Sequence, residues 1–283
     1  MIAVIGAGGR LGASVCRALA AAGEAYRPVV REPDRWRALG LAAFSVQADL
    51  QDPAGMAEAL AGAQRIVSCA HAGFTPAVLA AAPAGASFVL MGSTRRFSRW
   101  PDEGGDGVRV GEAAFLASGR PGVMLHPTMI YGAAGEDNVQ RLATLLKRLP
   151  FAPLPGGGRA QVQPIHVDDV TKCILAALHH RWDAPQALVI AGPRPMRYRD
   201  FLAAVARAAG LRPPPVLAVP ELLLRALATL TPLVPRFPTI RAAEIRRLTE
   251  DKDFDIGPML ELLGIQPIDL EEGLARSNLK PAV

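Results

Sequence analysis

The chain has 283 residues, half of them hydrophobic, with 31 Lys+Arg against 26 Asp+Glu for a formal charge of +5. That supplies a sizeable core for one large domain or two fused ones, and no low-complexity tract or internal repeat interrupts it. Nucleic-acid binding would need a Lys/Arg block interleaved with aromatics, and none occurs, so the expected anionic partners are phosphates of a cofactor or a small-molecule substrate.

The three cysteines, Cys16, Cys69 and Cys173, are odd in number and sit in apolar contexts, which reads as reduced core residues. Met1-Ile2-Ala3-Val4-Ile5 enters a strand at once, with no charged leader segment before it, and this predicts a cytoplasmic protein. Residues 216–237 are very apolar, but Glu221, Arg225, Pro220, Pro232 and Pro235 interrupt them, which excludes a transmembrane helix and leaves a pocket-lining or surface-docking one.

In chain order, the first half alternates strands and helices. Strands are expected at 1–5, 27–31, 44–48, 65–70, 87–91 and 123–126. Helices are expected at 10–22, ended by Gly23, at 53–60, capped by Asp52, at 75–82 and at 110–118. The glycines of 104–107 read as a break before the last of these. This is the pattern of βαβ units on a parallel sheet, a Rossmann-type α/β fold. Residues 1–150 read as its dinucleotide-binding domain.

The second half reads differently. A helix over 136–149 precedes a flexible turn at Gly156-Gly157-Gly158. Asp168 or Asp169 is expected to cap a helix reaching His179, and 188–191 to form a late strand. Helices at about 198–209, 220–231, 239–248, 257–263 and 270–276 follow. Residues 151–283 are therefore expected to form a smaller, mostly helical substrate-side domain, with segments near 160–192 rejoining the sheet.

The chemistry begins at Gly6-Ala7-Gly8-Gly9-Arg10-Leu11-Gly12, which follows a strand and opens a helix. Gly6 permits the tight turn, Gly9 lets the backbone approach a pyrophosphate, and Gly12 lets the helix pack close to the sheet. The phosphates would sit on the free N–H groups of the helix start. The second strand ends Val29-Val30-Arg31-Glu32. An arginine there pairs with a ribose 2′-phosphate, so Arg31, with Arg10 and Arg35 nearby, favours NADP(H) over NAD(H) despite Glu32. Asp49-Leu50 follow the third strand, where a carboxylate can meet the adenine amino group. Ala70-His71 end the fourth, where small residues let the cofactor ribose pass and His71 reads as a pocket-edge residue.

Several blocks resemble the extended and atypical branches of the short-chain dehydrogenase/reductase superfamily. They are the glycines at 6, 9 and 12; Leu125-His126-Pro127-Thr128-Met129-Ile130-Tyr131-Gly132, similar to the strand and turn beside the nicotinamide; Glu136-Asp137-Asn138-Val139; Pro155-Gly156-Gly157-Gly158-Arg159; Gln163-Pro164-Ile165-His166-Val167-Asp168-Asp169-Val170; and the C-terminal Phe254-Asp255 and Leu270-Glu271-Glu272-Gly273-Leu274. The resemblance runs nearly the whole chain in order. It implies the fold, a nicotinamide cofactor held by the glycine loop with Pro127 and Thr128 beside it, and an epimerase/dehydratase-like or oxidoreductase activity.

The departures concern the catalytic groups. The superfamily's usual chemistry uses Tyr and Lys four residues apart with a Ser or Thr nearby, the tyrosine passing a proton and the lysine lowering its pKa. With Glu112 matching the family's glutamate, Val108 falls at the lysine position and Gly104 at the tyrosine position. Ser93 stands at the expected serine position. His126 stands where the extended family usually has arginine, and a histidine there can transfer protons near neutral pH. Ser93, His126 and Tyr131 are thus the candidate catalytic residues. Arg95-Arg96-Phe97-Ser98-Arg99-Trp100 reads either as a solvated loop or as a grip for an anionic or planar substrate group. His166, Asp168 and Asp169 have a metal-like look, but their spacing fits helix capping, and no metal site is expected.

Two functions compete. One is an NADP(H)-dependent oxidoreductase acting on a carbonyl or alcohol of a bulky, lipid-like or sugar-derived substrate, with a non-standard proton donor. The other is a catalytically silent NADP(H)-binding sensor or accessory subunit, which a lost dyad beside an intact glycine loop would suit. Either is compatible with an oligomer.

Overall fold

The computed structural model describes residues 1–100, 102–133, 138–229, 242–277 and 279. Seven parallel strands form its main sheet. In chain order the first six are β1 (Ile2–Ile5), β2 (Tyr26–Val30), β3 (Val46–Gln47), β4 (Arg65–Ser68), β5 (Ser87–Met91) and β6 (Gly122–Pro127). Between them run α1 (Arg10–Ala21), α2 (Pro33–Arg37), α3 (Pro53–Leu60), α4 (Thr75–Ala81) and α5 (Glu103–Ala117). Then come β7 (Ile130–Tyr131), α6 (Asn138–Arg148), β8 (Ala152–Pro155), β9 (Gln161–Val162), β10 (Ile165–His166), α7 (Val167–His179), β11 (Pro185–Ile190), β12 (Met196–Arg197), α8 (Tyr198–Ala208), β13 (Val216–Val219), α9 (Glu221–Ala228), α10 (Ala242–Arg247), α11 (Gly257–Leu263) and α12 (Leu270–Arg276).

The sheet order is β11-β6-β5-β4-β1-β2-β3. The order reverses between β1 and β4, which is the topological switch point where open α/β sheets bind ligands, outside the carboxyl ends of the strands. Alternation along each strand divides the core. Ile2 and Val4 face one way, with Val67, Val89 and Leu125, onto α1, α7 and α11. Ala3 and Ile5 face the other way, with Ile66, Phe88 and Met124, onto α3, α4 and α5. Both faces are covered, as parallel sheets require. A third cluster joins α6, α8 and α12 around Tyr131, Val139, Phe201 and Leu274. Short ladders pair β7 with β10, β8 with β13 and β9 with β12, none of them expected from the sequence.

Four expectations are corrected. Gly104–Gly107 is no break: α5 is one helix of 15 residues from Glu103, and the Asp102 side chain caps it by accepting from the Gly105 N–H at 2.6 Å. Glycine recurs on this helix because it packs on other backbone; a Cβ on Gly111 would stand 2.0 Å from the Ala72 carbonyl oxygen. Asp168 and Asp169 do not cap α7, since His166 Nδ1 accepts from the Asp168 N–H at 3.2 Å and both aspartates lie in the first turn. The third strand shrinks to Val46–Gln47, and Phe44 projects into solvent with 97% exposure. The late strand begins at Pro185, not Leu188, and pairs with β6 along the sheet edge.

Residues 136, 137 and 230–241, where parts of three expected helices and of the 216–237 apolar stretch fall, lie outside the described residues. In the described part of that stretch, Leu217, Leu222 and Leu223 are exposed while Leu224 packs on Ala228 and Ile245. Among the described residues no helix is long and apolar enough to cross a membrane, and no group of three metal-capable side chains occurs.

Candidate active site

The glycine loop leaves β1 through Gly6, whose φ of +74° only glycine adopts without strain. The Gly6 and Ala7 N–H groups donate to the Val29 carbonyl, and the Gly9 N–H donates back to Gly6 O at 2.9 Å. A Cβ on Gly12 would lie 2.2 Å from Gly6 O and one on Gly9 3.2 Å from it, so neither position has room for a side chain without movement. The first turn of α1 carries no acidic residue, and no side chain caps it. Its N–H groups and positive dipole end are thereby left for an anion. The backbone cradle fits a dinucleotide's pyrophosphate.

The other expected cofactor residues border the same carboxyl edge. Arg31, at the end of β2, is exposed and donates from Nη2 to Glu32 Oε1 at 3.1 Å. Arg10 and Arg35 are exposed as well. Asp49 spends Oδ1 on the Gln51 N–H at 2.9 Å. Leu50 and Ala70 pack half-buried against the core face that carries Ile5. His71 is exposed, and its Nδ1 accepts from the Gly73 N–H at 3.1 Å. Pro127 ends β6, where its carbonyl accepts from Thr94 Oγ1 at 3.2 Å. Thr128 is buried, with its N–H on Ile190 O and its hydroxyl on Gln163 O.

Ser93 and His126 come together. The Ser93 N–H donates to His126 Nδ1 at 3.1 Å, and Ser93 Oγ accepts from the Arg95 N–H at 3.2 Å. His126 is 1% exposed, and its Nε2 lies 3.1 Å from Glu112 Oε2. Because Nδ1 accepts, the neutral ring carries its proton on Nε2 and turns it toward the glutamate. Burial, followed by the charge of Arg96, pushes the His126 pKa down to about 4. Glu112 is buried too, which raises its pKa, and Arg96 Nε stands against the same Oε2 to oppose that rise. The three atoms meet at ion-pair distance without hydrogen-bond alignment.

Tyr131 goes elsewhere. It is 1% exposed, its ring stands edge-on to His166 at 5.2 Å, and a Cβ on Gly273 of α12 would be 2.0 Å from its hydroxyl. Burial, then the charge of Asp169, raises its pKa.

The arginine-rich turn divides its roles. Arg96 serves Glu112, and its guanidinium also lies 4.6 Å over the Phe97 ring. The Arg99 N–H and the Ser98 hydroxyl both donate to Glu250. Trp100 lies under Arg246 at 5.0 Å. Arg95 extends toward Gly104, and a Cβ there would be 2.6 Å from its Nη1. Sequence reasoning missed Glu250 as the anchor of this turn. Asp169, expected as a helix cap, is fully buried and instead joins α7 to the Ile268 N–H at 2.8 Å. Both pairings span about a hundred residues or more of chain, so no local pattern marks them.

The comparisons with known proteins follow this geometry. Residues 1–79 match the NmrA-like family. An NADPH-dependent quinone oxidoreductase from Escherichia coli, complexed with NADPH, superposes with a TM-score of 0.77 at 18% identity, covering 97% of this chain and 99% of that one. A UDP-glucose 4-epimerase from Thermotoga maritima, with UDP-glucose, gives 0.73 at 16% identity over 98% and 96%. A short-chain dehydrogenase/reductase superfamily protein from Agrobacterium tumefaciens, with bound NAD, gives 0.70 at 16% over 99% and 96%. No curated protein matches the sequence. At these identities the comparison shows a shared fold.

The two positions that the resemblance would give to a dyad, 104 and 108, lie on α5. Gly104 is in its first turn, and Val108 is 1% exposed against the sheet. Glu112 follows one turn later and meets His126. The positive charge beside Glu112 comes from Arg96 on the turn after β5.

Proposed function

We propose that the protein is an NADP(H)-dependent oxidoreductase acting on a carbonyl or alcohol of a bulky small molecule. The observation that carries this reading is the uncapped α1 start under Gly6–Gly12, with Arg31 at the end of the neighbouring strand. Gly6, Gly8, Gly9, Arg10, Leu11 and Gly12 would hold the pyrophosphate and Arg31 the 2′-phosphate, with Arg35 at the same edge. Asp49 and Leu50 would border the adenine, and Ala70, His71, Pro127 and Thr128 the nicotinamide half. Bound there, the dinucleotide supplies hydride chemistry at nicotinamide C4. Ser93 presents its hydroxyl to the substrate oxygen, and His126, with both ring nitrogens turned inward, positions Ser93 rather than donating a proton itself. We assign Tyr131 to packing against α12 on the same grounds of burial. The division into a cofactor half, 1–150, and a substrate half, 151–283, is part of this proposal, as is a cytoplasmic location.

A second reading has its own support. α5 carries glycine and a buried valine where the dyad would stand, which suits a protein that holds NADP(H) without turnover. One experiment separates the two. NADPH and NADH are titrated by quenching of protein fluorescence, and the loaded protein is then offered a panel of quinones, aldehydes and ketones while absorbance of the reduced cofactor is followed. Tight NADPH binding with turnover supports the oxidoreductase. Binding with no turnover across the panel selects the silent binder, and no binding of either cofactor removes both.

A further inference from the structure

β8 and β13 form a two-stranded ladder with two unlike faces. Ala152 and Leu154 turn to the cluster that joins α6, α8 and α12. Side chains alternate along a strand, so Phe151 and Pro153 turn the other way. In the parallel register Leu217 stands opposite Pro153 and Val219 opposite Pro155, on that second face. α9 covers part of it, where Leu224 and Ala228 pack with Ile245 of α10 and with Val219.

The rest of that face is bare. Phe151 and Leu217 are exposed on the ladder, and Leu222 and Leu223 project from the first turn of α9, Leu222 with 75% exposure. Leu224 and Ala228 are four apart and share the packed side of α9, which leaves the two leucines before them off that side. A single exposed leucine is ordinary, but four large apolar side chains gathered from the entry to β8, from β13 and from α9 make a patch.

Basic groups border it. The two strands are parallel, so their lead-in segments lie at one end, tied where the Ala152 N–H donates to the Pro215 carbonyl at 2.9 Å. One lead-in carries Lys147 and Arg148 in the last turn of α6, the other carries Arg212, and all three are exposed. At the α9 end Glu221 stands between Arg225 and Arg246, at 3.6 and 3.8 Å, so one carboxylate meets two guanidinium groups. The charge of Glu244, on α10, acts on Tyr198 of α8. Cations outnumber carboxylates around the face.

We propose that this face docks the protein on an anionic phospholipid surface. Leucine and phenylalanine side chains enter the boundary between headgroups and acyl chains, while lysine and arginine beside them meet the lipid phosphates. A second copy of the chain is the poorer occupant, because a self-paired face would set one basic border against another. Arg246 also lies over Trp100, at the end of the turn that carries Ser93, so docking here brings that turn close to the lipid. It needs no bound cofactor.

The test floats the full chain with phosphatidylcholine vesicles, with and without phosphatidylglycerol. The wild type is expected to float with the phosphatidylglycerol vesicles and to leave them as salt is raised. Leu222→Gln with Leu223→Gln weakens that binding by about tenfold or more, and Arg212→Gln by about fivefold. Both replaced leucines are exposed and glutamine suits a helix, so the urea midpoint should stay that of the wild type. Leu116→Gln, exposed on α5, leaves flotation unchanged. Wild-type protein that floats with neither vesicle overturns the proposal, as does a double variant that floats like the wild type. Equal loss in Leu116→Gln overturns it too, as general stickiness. A wild-type dimer in sedimentation velocity that the double variant dissociates would give the face to a second copy instead.

Discussion

His126 Nε2 and Glu112 Oε2 lie 3.1 Å apart beneath the turn that carries Ser93, with the histidine 1% and the glutamate side chain 6% exposed. A buried carboxylate needs a counter-charge, and a neutral imidazole supplies none. Arg96 supplies it from the turn itself. The ion pair thus ties the loop after β5 to α5, while the histidine ties the same loop to β6 through Ser93. His126 and Arg96 thus form one arrangement around Glu112, in which the charge comes from the loop it steadies.

Arg96→Ala is therefore expected to destabilise the protein by on the order of 3 kcal/mol, because it leaves Glu112 charged and buried without its partner. Arg96→Ala with Glu112→Gln removes both charges, and most of that loss should return. Urea unfolding midpoints of the two single variants and the double variant give the coupling directly. Additive losses would show that the two side chains do not act as a pair.

The same cluster predicts a pH dependence. The folded-state pKa of His126 is about 4, below its ordinary 6.5. Between those values the unfolded chain binds a proton that the folded chain does not, so stability rises with pH there and is lost as pH falls from about 6.5 to about 4. His166 is lowered as well and adds to the same slope. Glu112, raised above its ordinary 4.5, works oppositely, its contribution declining as pH rises above that value. The difference between wild type and His126→Asn isolates the histidine, since asparagine can still accept from the Ser93 N–H. The wild type should lose up to about 1.4 kcal/mol more per pH unit within the window. Parallel stability curves for the two proteins would contradict a buried neutral histidine.

What the sequence reveals depends on how local each cause is. The helices at 257–263 and 270–276 appear at their expected bounds, because Gly264 closes the first at φ +65° and Asp269 stands before the second. The glycine loop is equally local: strand, turn and helix start lie within a dozen residues. α5 is misread over its first turns because Gly104, Gly105 and Gly107 look like a breaker, whereas each faces another loop at close range. Ser93 and His126 are read as candidates, but not that the histidine's two nitrogens are turned inward. Glu112 is noticed in the sequence only for its spacing, and only the fold brings Arg96 and His126 to it.

Gly9 and Gly12 separate a cofactor role from a packing role. A Cβ on Gly12 would stand 2.2 Å from Gly6 O and 2.8 Å from Ala7 Cα, both backbone atoms that cannot give way without moving α1 off the sheet. Gly12→Val should cost about 3 kcal/mol or more, or fail to fold. The clash at Gly9 is milder, 3.2 Å to Gly6 O, and in the proposed function a pyrophosphate would lie against this position. Gly9→Val should keep a native circular dichroism spectrum and lose NADPH binding. If Gly9→Val folds and binds as the wild type does, the loop is only a turn.

The proposed preference for NADP(H) rests on two adjacent side chains. Arg31 and Glu32 pair with each other at 3.1 Å on the surface, with 73% and 56% of their side chains exposed. An exposed pair of this kind is worth little, roughly 0–1 kcal/mol, so it does not hold Arg31 against a better partner. A 2′-phosphate carries more charge than Glu32 and offers the guanidinium paired oxygens. Glu32 then remains nearby as a repulsive charge, lowering NADP(H) affinity without abolishing it. Three outcomes follow. Arg31→Ala weakens NADPH binding by about ten- to a hundredfold and leaves NADH nearly unchanged. Glu32→Gln strengthens NADPH binding and does little to NADH. Raising the salt concentration narrows the gap between the two cofactors, because the contact is exposed. Fluorescence titration of both reduced cofactors to the three proteins measures each of these. A wild type that prefers NADH, together with an Arg31→Ala variant that keeps that preference, would assign the ribose to Glu32 instead.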